Sequence, residues 1–228
     1  MPDPRPLSGV SIAFDLDGTL VETAPDLIGA LNVVLTERNL PALPLTSARH
    51  LVGLGARVML EHGFKEAGAT YDAGEMPLMV ERFVEIYRSR IADESHAFPG
   101  VEAALDQFAA QGAILLVATN KRTELSITLL DKLGLLNRFA AVVGPDAVTR
   151  HKPDPAHLIE AIHKAGGDPA RAVMVGDSIT DVLPARAAGI PVVAVSFGYT
   201  EVPAAELGAD RVIDHFDQLP RAVADLLA

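Results

Sequence analysis

Residues 11–20 read Ser11-Ile12-Ala13-Phe14-Asp15-Leu16-Asp17-Gly18-Thr19-Leu20. A short apolar run ends abruptly in two acids separated by one residue, and a glycine follows. The run lacks the polar alternation of a strand with one wet face, so it predicts a β-strand covered on both sides. Two carboxylates held in a confined site at ~4 Å repel by about 4 kcal/mol at an effective dielectric of ~20. The pair therefore calls for a cation or a shared proton, unless the two side chains point apart. Gly18 permits a tight exit in which backbone N–H groups converge on an anion. An ordinary Asp-Gly turn accounts for the same residues. An EF-hand calcium loop does not, because its third oxygen ligand and terminal Glu are missing.

Further apolar runs of the same kind lie at 113–118, 140–143, 172–175, 192–195 and 211–213, each reading as a strand covered on both faces. Helical spacing fills the intervals at 101–110, 123–133, 155–165, 179–188 and 218–227. Such alternation predicts right-handed βαβ crossovers and a Rossmann-like parallel sheet, an α/β fold whose ligands bind at the carboxyl ends of the strands. Residues 22–95 break the pattern: they show helices only, with Leu27, Ile28, Leu31, Val34 and Leu35 on one face and Met76, Met79, Phe83, Ile86 and Tyr87 on another. Thr23 and Asp26 predict a capping box, with Pro25 in the first turn. The expectation is a core of 1–21 and 96–228 carrying a helical cap domain at 22–95, inserted above the end of the first strand. Its Val52-Gly53-Leu54-Gly55 stretch reads as a turn, with Arg57 just beyond it.

Composition narrows the chemistry. The 228 residues are 49% apolar and 21% charged, enough side-chain surface to offset the ordering entropy of a packed fold. With no cysteine, thiolate zinc sites, disulfides, iron–sulfur clusters and cysteine nucleophiles drop out. A formal charge of −11 disfavours nucleic acid and anionic membrane surfaces as partners. No apolar run is long enough to span a bilayer and no secretory h-region opens the chain, so a cytoplasmic location is expected. A Gly-x-Ser-x-Gly elbow, a Walker A loop, a dinucleotide loop and an HExxH pair are all absent.

Three more strand ends carry polar groups. Thr119-Asn120 precedes a helix and offers a hydroxyl and amides to an anion, or simply a helix cap. Lys152 stands before Pro153-Asp154-Pro155, which hold its backbone outside the next helix, and it can act as a compact positive charge for phosphate. Gly176-Asp177-Ser178-Ile179-Thr180-Asp181 repeats the strand-to-acid transition, with Asp181 one helical turn after Asp177. Helix capping by Asp177 or Ser178 explains one acid here, but not both.

The order DxDGT, Thr, Lys, GDxxxD over nearly the whole chain resembles the haloacid dehalogenase superfamily of phosphohydrolases. Within it, the run from Asp15 to Leu27, Gly53-Leu54-Gly55 and Phe98-Pro99-Gly100 are similar to the phosphoglycolate phosphatases. The resemblance implies that Asp15 is the nucleophile and forms an aspartyl-phosphate, and that Asp17 is the proton donor and acceptor. It implies Mg2+ held by Asp15, Asp177 and the Asp17 carbonyl, with Asp181 orienting these ligands. Thr119, Asn120 and Lys152 would hold the phosphoryl oxygens. Apart from the resemblance, the turn at Gly53 and Gly55 lies in a cap that would close on a small anionic phosphate ester, and Arg57, just past Gly55, either reaches down to an anionic group of that substrate or is an ordinary solvated helix arginine. Asp17 departs from the dehalogenases, which lack a second aspartate, and from phosphonatases, which carry a small residue there. Sugar phosphomutases and broader small-phosphomonoester or pyrophosphate phosphatases share all four motifs. A non-catalytic phosphate-binding module would be expected to lack a carboxylate. Monomer and homodimer are equally compatible with the sequence.

Overall fold

The structure, a computed structural model, describes residues 5–200 and 202–228. In chain order its elements are β1 (Ser11–Phe14), β2 (Val21–Glu22), α1 (Ala24–Glu37), α2 (Leu45–Ala48), α3 (Ala56–Glu66), α4 (Met76–Ser89) and β3 (His96–Ala97). They continue as α5 (Val101–Ala110), β4 (Ile114–Ala118), α6 (Thr123–Lys132), β5 (Ala141–Val143), α7 (Pro155–Lys164), β6 (Ala172–Gly176), α8 (Ile179–Ala187), β7 (Val192–Val195), β8 (Arg211–Ile213) and α9 (Leu219–Leu227).

The six apolar runs form one parallel sheet in the order β5-β4-β1-β6-β7-β8. Alternate residues feed two separate cores, as a pleat requires. Ile12, Phe14, Val117, Val173, Val175 and Val193 point to one side, where α5, α6 and α9 cover them. Ala13, Leu116, Met174, Val192 and Ala194 point to the other, under Leu158 and Ile162 of α7 and Val182 of α8. The expectation of two covered faces fails at the edge strand β8, where Arg211 and Val212 are exposed and only Ile213 is buried. β5, at the other edge, is covered only in part. An apolar triplet cannot reveal whether a strand is central or marginal.

From β5 the chain returns across the sheet to β6, so the direction of winding reverses between β1 and β6. In open α/β sheets this switch point is where a crevice opens at the carboxyl ends.

The helical segment leaves and rejoins the sheet through a two-stranded antiparallel tie, with Val21 opposite Ala97 and Glu22 opposite His96. Its α1 packs on α3 and α4 through the predicted apolar faces. The predicted capping box does not form. The Thr23 side chain makes no cap bond, and Asp26 reaches across to the returning chain instead. Fully buried, Asp26 accepts from the backbone N–H of Glu94 (3.0 Å) and of Ser95 (2.8 Å) and from the Ser95 hydroxyl (2.7 Å). Tertiary donors outcompete the local cap because the two linkers must run side by side.

Removing this clamp strands two backbone donors in a buried place. Asp26→Ala is expected to lower the unfolding free energy by about 2–3 kcal/mol. Urea titration reads it as a shift in midpoint at constant m-value; a change under about 0.5 kcal/mol would mean the linkers need no clamp.

Candidate active site

Asp15, Thr119 and Asp177 each follow directly on a central strand, β1, β4 and β6 respectively. The ladder still holds their backbone: Asp15 N–H donates to the Val175 carbonyl (2.9 Å) and Thr119 N–H to that of Val143 (3.0 Å). Three side chains thus leave rigid strands at one edge of the sheet.

Lys152, from the loop between β5 and α7, is only 2% exposed. Its Nζ donates to Asp15 Oδ1 at 2.9 Å and to Asp181 Oδ1 at 2.6 Å. The other Asp181 oxygen accepts from the backbone N–H groups of Asp177 and Ser178 (both 3.2 Å) and from the Ser178 hydroxyl (3.0 Å). Ser178 is the N-cap of α8, so the capping explanation and the clustering of acids both hold at this turn. Asp177 Oδ2 accepts from the Tyr199 N–H at 2.7 Å. That close approach needs Gly198, where a Cβ would lie 2.2 Å from the Asp177 side chain. Gly18 has φ +82°, and a Cβ there would come within 2.4 Å of Asp177 Oδ2.

Asp15, Asp177 and Asp181 present oxygens that all lie within 4.8 Å of one another. Burial pushes the Asp177 carboxyl well above its usual range, and the neighbouring charges of Asp181 and Asp15 push it the same way. Burial opposes the charged form of Lys152, but Asp15 and Asp181 outweigh it and hold the ammonium protonated. Three carboxyl groups against one ammonium crowd acidic oxygens into a largely buried site, where ionising all three calls for more positive charge than Lys152 supplies. A divalent cation with a preference for oxygen ligands fits that donor set. The buried acidic cluster can hold a metal ion. Asp181 already commits both oxygens to Lys152 and the α8 turn, whereas Asp15 and Asp177 face the cavity.

Asp17 solves its repulsion separately. Its carboxylate lies outside the acidic trio and accepts from Lys121 Nζ (3.0 and 3.2 Å) and from the Thr23 hydroxyl (2.7 Å). The two acids of the first motif therefore each have their own lysine. Lys121 went unremarked in the sequence, although it directly follows Thr119-Asn120 at a strand end. The helix-capping alternative for Thr119 does not hold, since α6 begins only at Thr123 and Thr119 Oγ1 accepts from the Lys121 N–H at 3.2 Å. Asn120 Nδ2 donates to the Lys152 carbonyl at 3.2 Å.

Two adjoining cavities open here. One, of about 240 Å3, is lined by Asp15, Thr119, Lys152 and Asp177. The other, of about 390 Å3, lies under the helical segment between Met59, Phe83, Tyr87 and Leu125. Gly53 lines both, while Gly55 and Arg57 line the second only. Arg57 is 65% exposed and pairs with Glu61 on its own helix at 2.9 Å. Sequence reasoning also passed over Tyr199. Its hydroxyl accepts from the N–H of Thr23 (2.7 Å) and Ala24 (3.1 Å) and donates to Glu22 (2.7 Å). Arg49 stacks on the Tyr199 ring and pairs with Glu22.

A strand-end carboxylate facing a buried lysine, beside an acidic cluster that can hold a cation, suits phosphoryl transfer at the switch point of a doubly wound sheet. Residues 12–195 match the family described as haloacid dehalogenase-like hydrolase, and the chain belongs to it. The chain is a phosphatase of that family. It is 53% identical to a phosphoglycolate phosphatase of Caulobacter vibrioides over 221 residues, covering 97% of this chain and 93% of that protein. A phosphoglycolate phosphatase of Agrobacterium fabrum is 44% identical over 98% of this chain and 95% of its own length. An N-acetylmuramic acid 6-phosphate phosphatase of Pseudomonas aeruginosa is 34% identical over 94% of this chain and 96% of its own length. Among solved structures, a predicted phosphoglycolate phosphatase from Haemophilus somnus superposes with a TM-score of 0.87 at 31% identity, covering 93% of this chain and 96% of that one.

Behind Lys152 sits a histidine that carries a pH prediction. His157 is fully buried; its Nδ1 accepts from the Lys152 N–H at 3.1 Å and its Nε2 donates to the Val143 carbonyl at 3.2 Å. Burial, with help from the Lys152 charge, lowers its pKa from 6.5 to about 4. The unfolded chain therefore binds the proton first, so this contribution is complete above pH 6.5 and is lost as the pH falls towards 4. It amounts to about 3 kcal/mol. Urea titrations from pH 7 to 4 should show a slope that His157→Gln flattens; an unchanged slope would mean that other groups set it.

Proposed function

We propose that this phosphatase hydrolyses 2-phosphoglycolate in the cytoplasm, Mg2+-dependently, through an aspartyl-phosphate on Asp15. The observation that carries the chemistry is the Lys152–Asp15 contact beside two further buried carboxylates. The similarity to phosphoglycolate phosphatases over almost the full chain supports the choice of ester. Asp15, Asp177 and the Asp17 carbonyl would hold Mg2+, with Asp181 orienting them; when bound, the ion offsets the charge of the phosphoryl group and the acids.

Asp15 attacks the phosphorus while Thr119, Asn120 and Lys152 hold the phosphoryl oxygens. Lys152 restrains the carboxylate in its attacking position and screens it from the incoming dianion. Asp17 enters the cycle in its protonated form and gives that proton to the leaving alkoxide as the P–O ester bond breaks, then takes one back from the water that cleaves the acyl phosphate, which restores the starting state. The segment 22–95 acts as a cap domain over the core of 1–21 and 96–228, excluding bulk water during phosphoenzyme formation. Gly53, Gly55 and Arg57 face the leaving group from that cap. The net charge of −11 supplies no long-range attraction for an anion, so lysines and arginines near the site must.

A second reading rests on the larger cavity. Its 390 Å3 exceed what a glycolate group fills, and its wall of Met59, Phe83 and Leu125 suits a bulkier, partly apolar leaving group. A broader small-phosphomonoester phosphatase would use the same four motifs.

Phosphate release decides between them. The wild type should release phosphate from 2-phosphoglycolate only with Mg2+ present, and EDTA should abolish it. Asp15→Asn keeps the shape but removes the nucleophile, and should lower kcat by several orders of magnitude. Turnover within about tenfold of wild type would remove Asp15 from its role.

In a competition assay, 2-phosphoglycolate should show a higher kcat/KM than hexose phosphates, nucleotides or pyrophosphate, by about tenfold to a hundredfold. A ranking below sugar phosphates would favour the broader reading.

A further inference from the structure

Lys121 has no part in the steps just derived, yet it stands where the two cavities meet. Four residues line both: Asp17, Gly53, Asn120 and Lys121, and Lys121 is the one cation among them. In the reaction proposed above, Asp17 meets the ester oxygen, so whatever substituent lies beyond that oxygen comes next to the partners of Asp17. Asp17 has two such partners, the Thr23 hydroxyl at 2.7 Å and Lys121 at 3.0 Å, and Lys121 is the charged one. We infer that Lys121 binds the anionic group of the substrate's leaving portion and so sets the preference for carboxylated phosphate esters, an inference that rests on the phosphatase reading.

The surroundings favour Lys121 over Arg57, another cation of the second cavity. Its side chain is 5% exposed, whereas that of Arg57 is 65% exposed and engaged with Glu61. A charge pair away from water interacts several times more strongly than one at the surface. The ammonium lies 4.4 Å from the centre of the Tyr87 ring, whose face orients it. Its hydrogen-bond acceptors in Asp17 are the two oxygens of one carboxylate, and an ammonium has three donors to place. A substrate carboxylate entering between Tyr87 and Asn120 would complete that set. Lys121 itself sits on the core loop just after β4, whereas Tyr87 comes from α4 of the helical segment, so core and helical segment together shape the place for the anion.

The experiment compares kcat/KM for two carboxylated esters, 2-phosphoglycolate and 3-phosphoglycerate, with two uncharged-tail esters, ethyl phosphate and glycerol phosphate. It uses wild type, Lys121→Met, Lys121→Arg and Arg57→Ala. Displacement of Asp17 in Lys121→Met affects all four substrates and cancels in the ratio of the classes. The expected result is a fall of that ratio by about tenfold to a hundredfold in Lys121→Met and its substantial retention in Lys121→Arg. An unchanged ratio in Lys121→Met overturns the inference, as does a collapse of the ratio in Arg57→Ala alone. Should Lys121→Met fail to fold, Lys121→Gln replaces it under the same criterion. Wild type ranking 2-phosphoglycolate below 3-phosphoglycerate while Lys121→Met loses both would sink the proposed substrate and leave Lys121 in its role.

Discussion

Three buried carboxylates around one lysine are the constraint to which the rest of the molecule answers. Like charges held this closely in a low dielectric would drive the strand ends apart unless opposite charge is fixed beside them. The fold supplies that charge from far along the chain. Phe14 pairs with Val175, so the residues just beyond them, Asp15 and the Gly176-Asp177 corner, emerge as neighbours. Lys152 then has to arrive from the loop after β5, and His157 and Asn120 grip its backbone on both sides. A buried lysine held by two carboxylates cannot wander, and fixed charges are what a transferring phosphoryl group requires, because none of the reorganisation is left to the reaction itself.

Separate lysines for Asp15 and Asp17 divide the site into two electrostatic compartments. In one, Lys152 and the acidic trio lie where the phosphoryl group is proposed to bind. In the other, Lys121 and the Thr23 hydroxyl hold the side chain proposed to move protons. Were both acids to share one cation, any change in one would disturb the other. The second compartment also lies at the border of the larger cavity, so Lys121, the charged partner of the side chain proposed to meet the leaving oxygen, stands next to whatever is attached to that oxygen.

The strands and the polar residues at their ends were legible because they obey local rules. Apolar runs without alternation became covered strands, and acids immediately after such runs came to the sheet's carboxyl edge. What escaped were relations between distant segments. Lys121 is one lysine among many until Asp17 and Tyr87 are seen to enclose it. Asp26 matched a capping pattern, yet its partners are 68 and 69 residues away, and three tertiary hydrogen bonds outweigh one local cap. The exposure of β8 depends on its place at the sheet's edge, which no window of sequence contains. Arg57 likewise reads as a free cation in sequence, while in the structure the i,i+4 rule gives it to Glu61.

Tyr199 shows how the helical segment and the carboxylates become one mechanical unit. Its backbone N–H holds Asp177, and its hydroxyl sits on the first N–H groups of α1. Burial, with the adjacent charge of Glu22, raises the phenol's pKa, so the hydroxyl keeps the proton it donates to Glu22. Arg49, from the turn after α2, lies on the ring and pairs with the same glutamate. A displacement of α1 that broke the bonds to the Tyr199 hydroxyl would leave the Thr23 N–H without its partner in a buried place, a cost of about 1–3 kcal/mol, and leave the Ala24 N–H only its longer bond to Glu22 (3.3 Å). The same displacement would carry Thr23 away from Asp17. The seat of the helical segment and the aim of both catalytic compartments are therefore not independent variables: holding α1 in place also holds Asp17 and Asp177 where the proposed chemistry needs them.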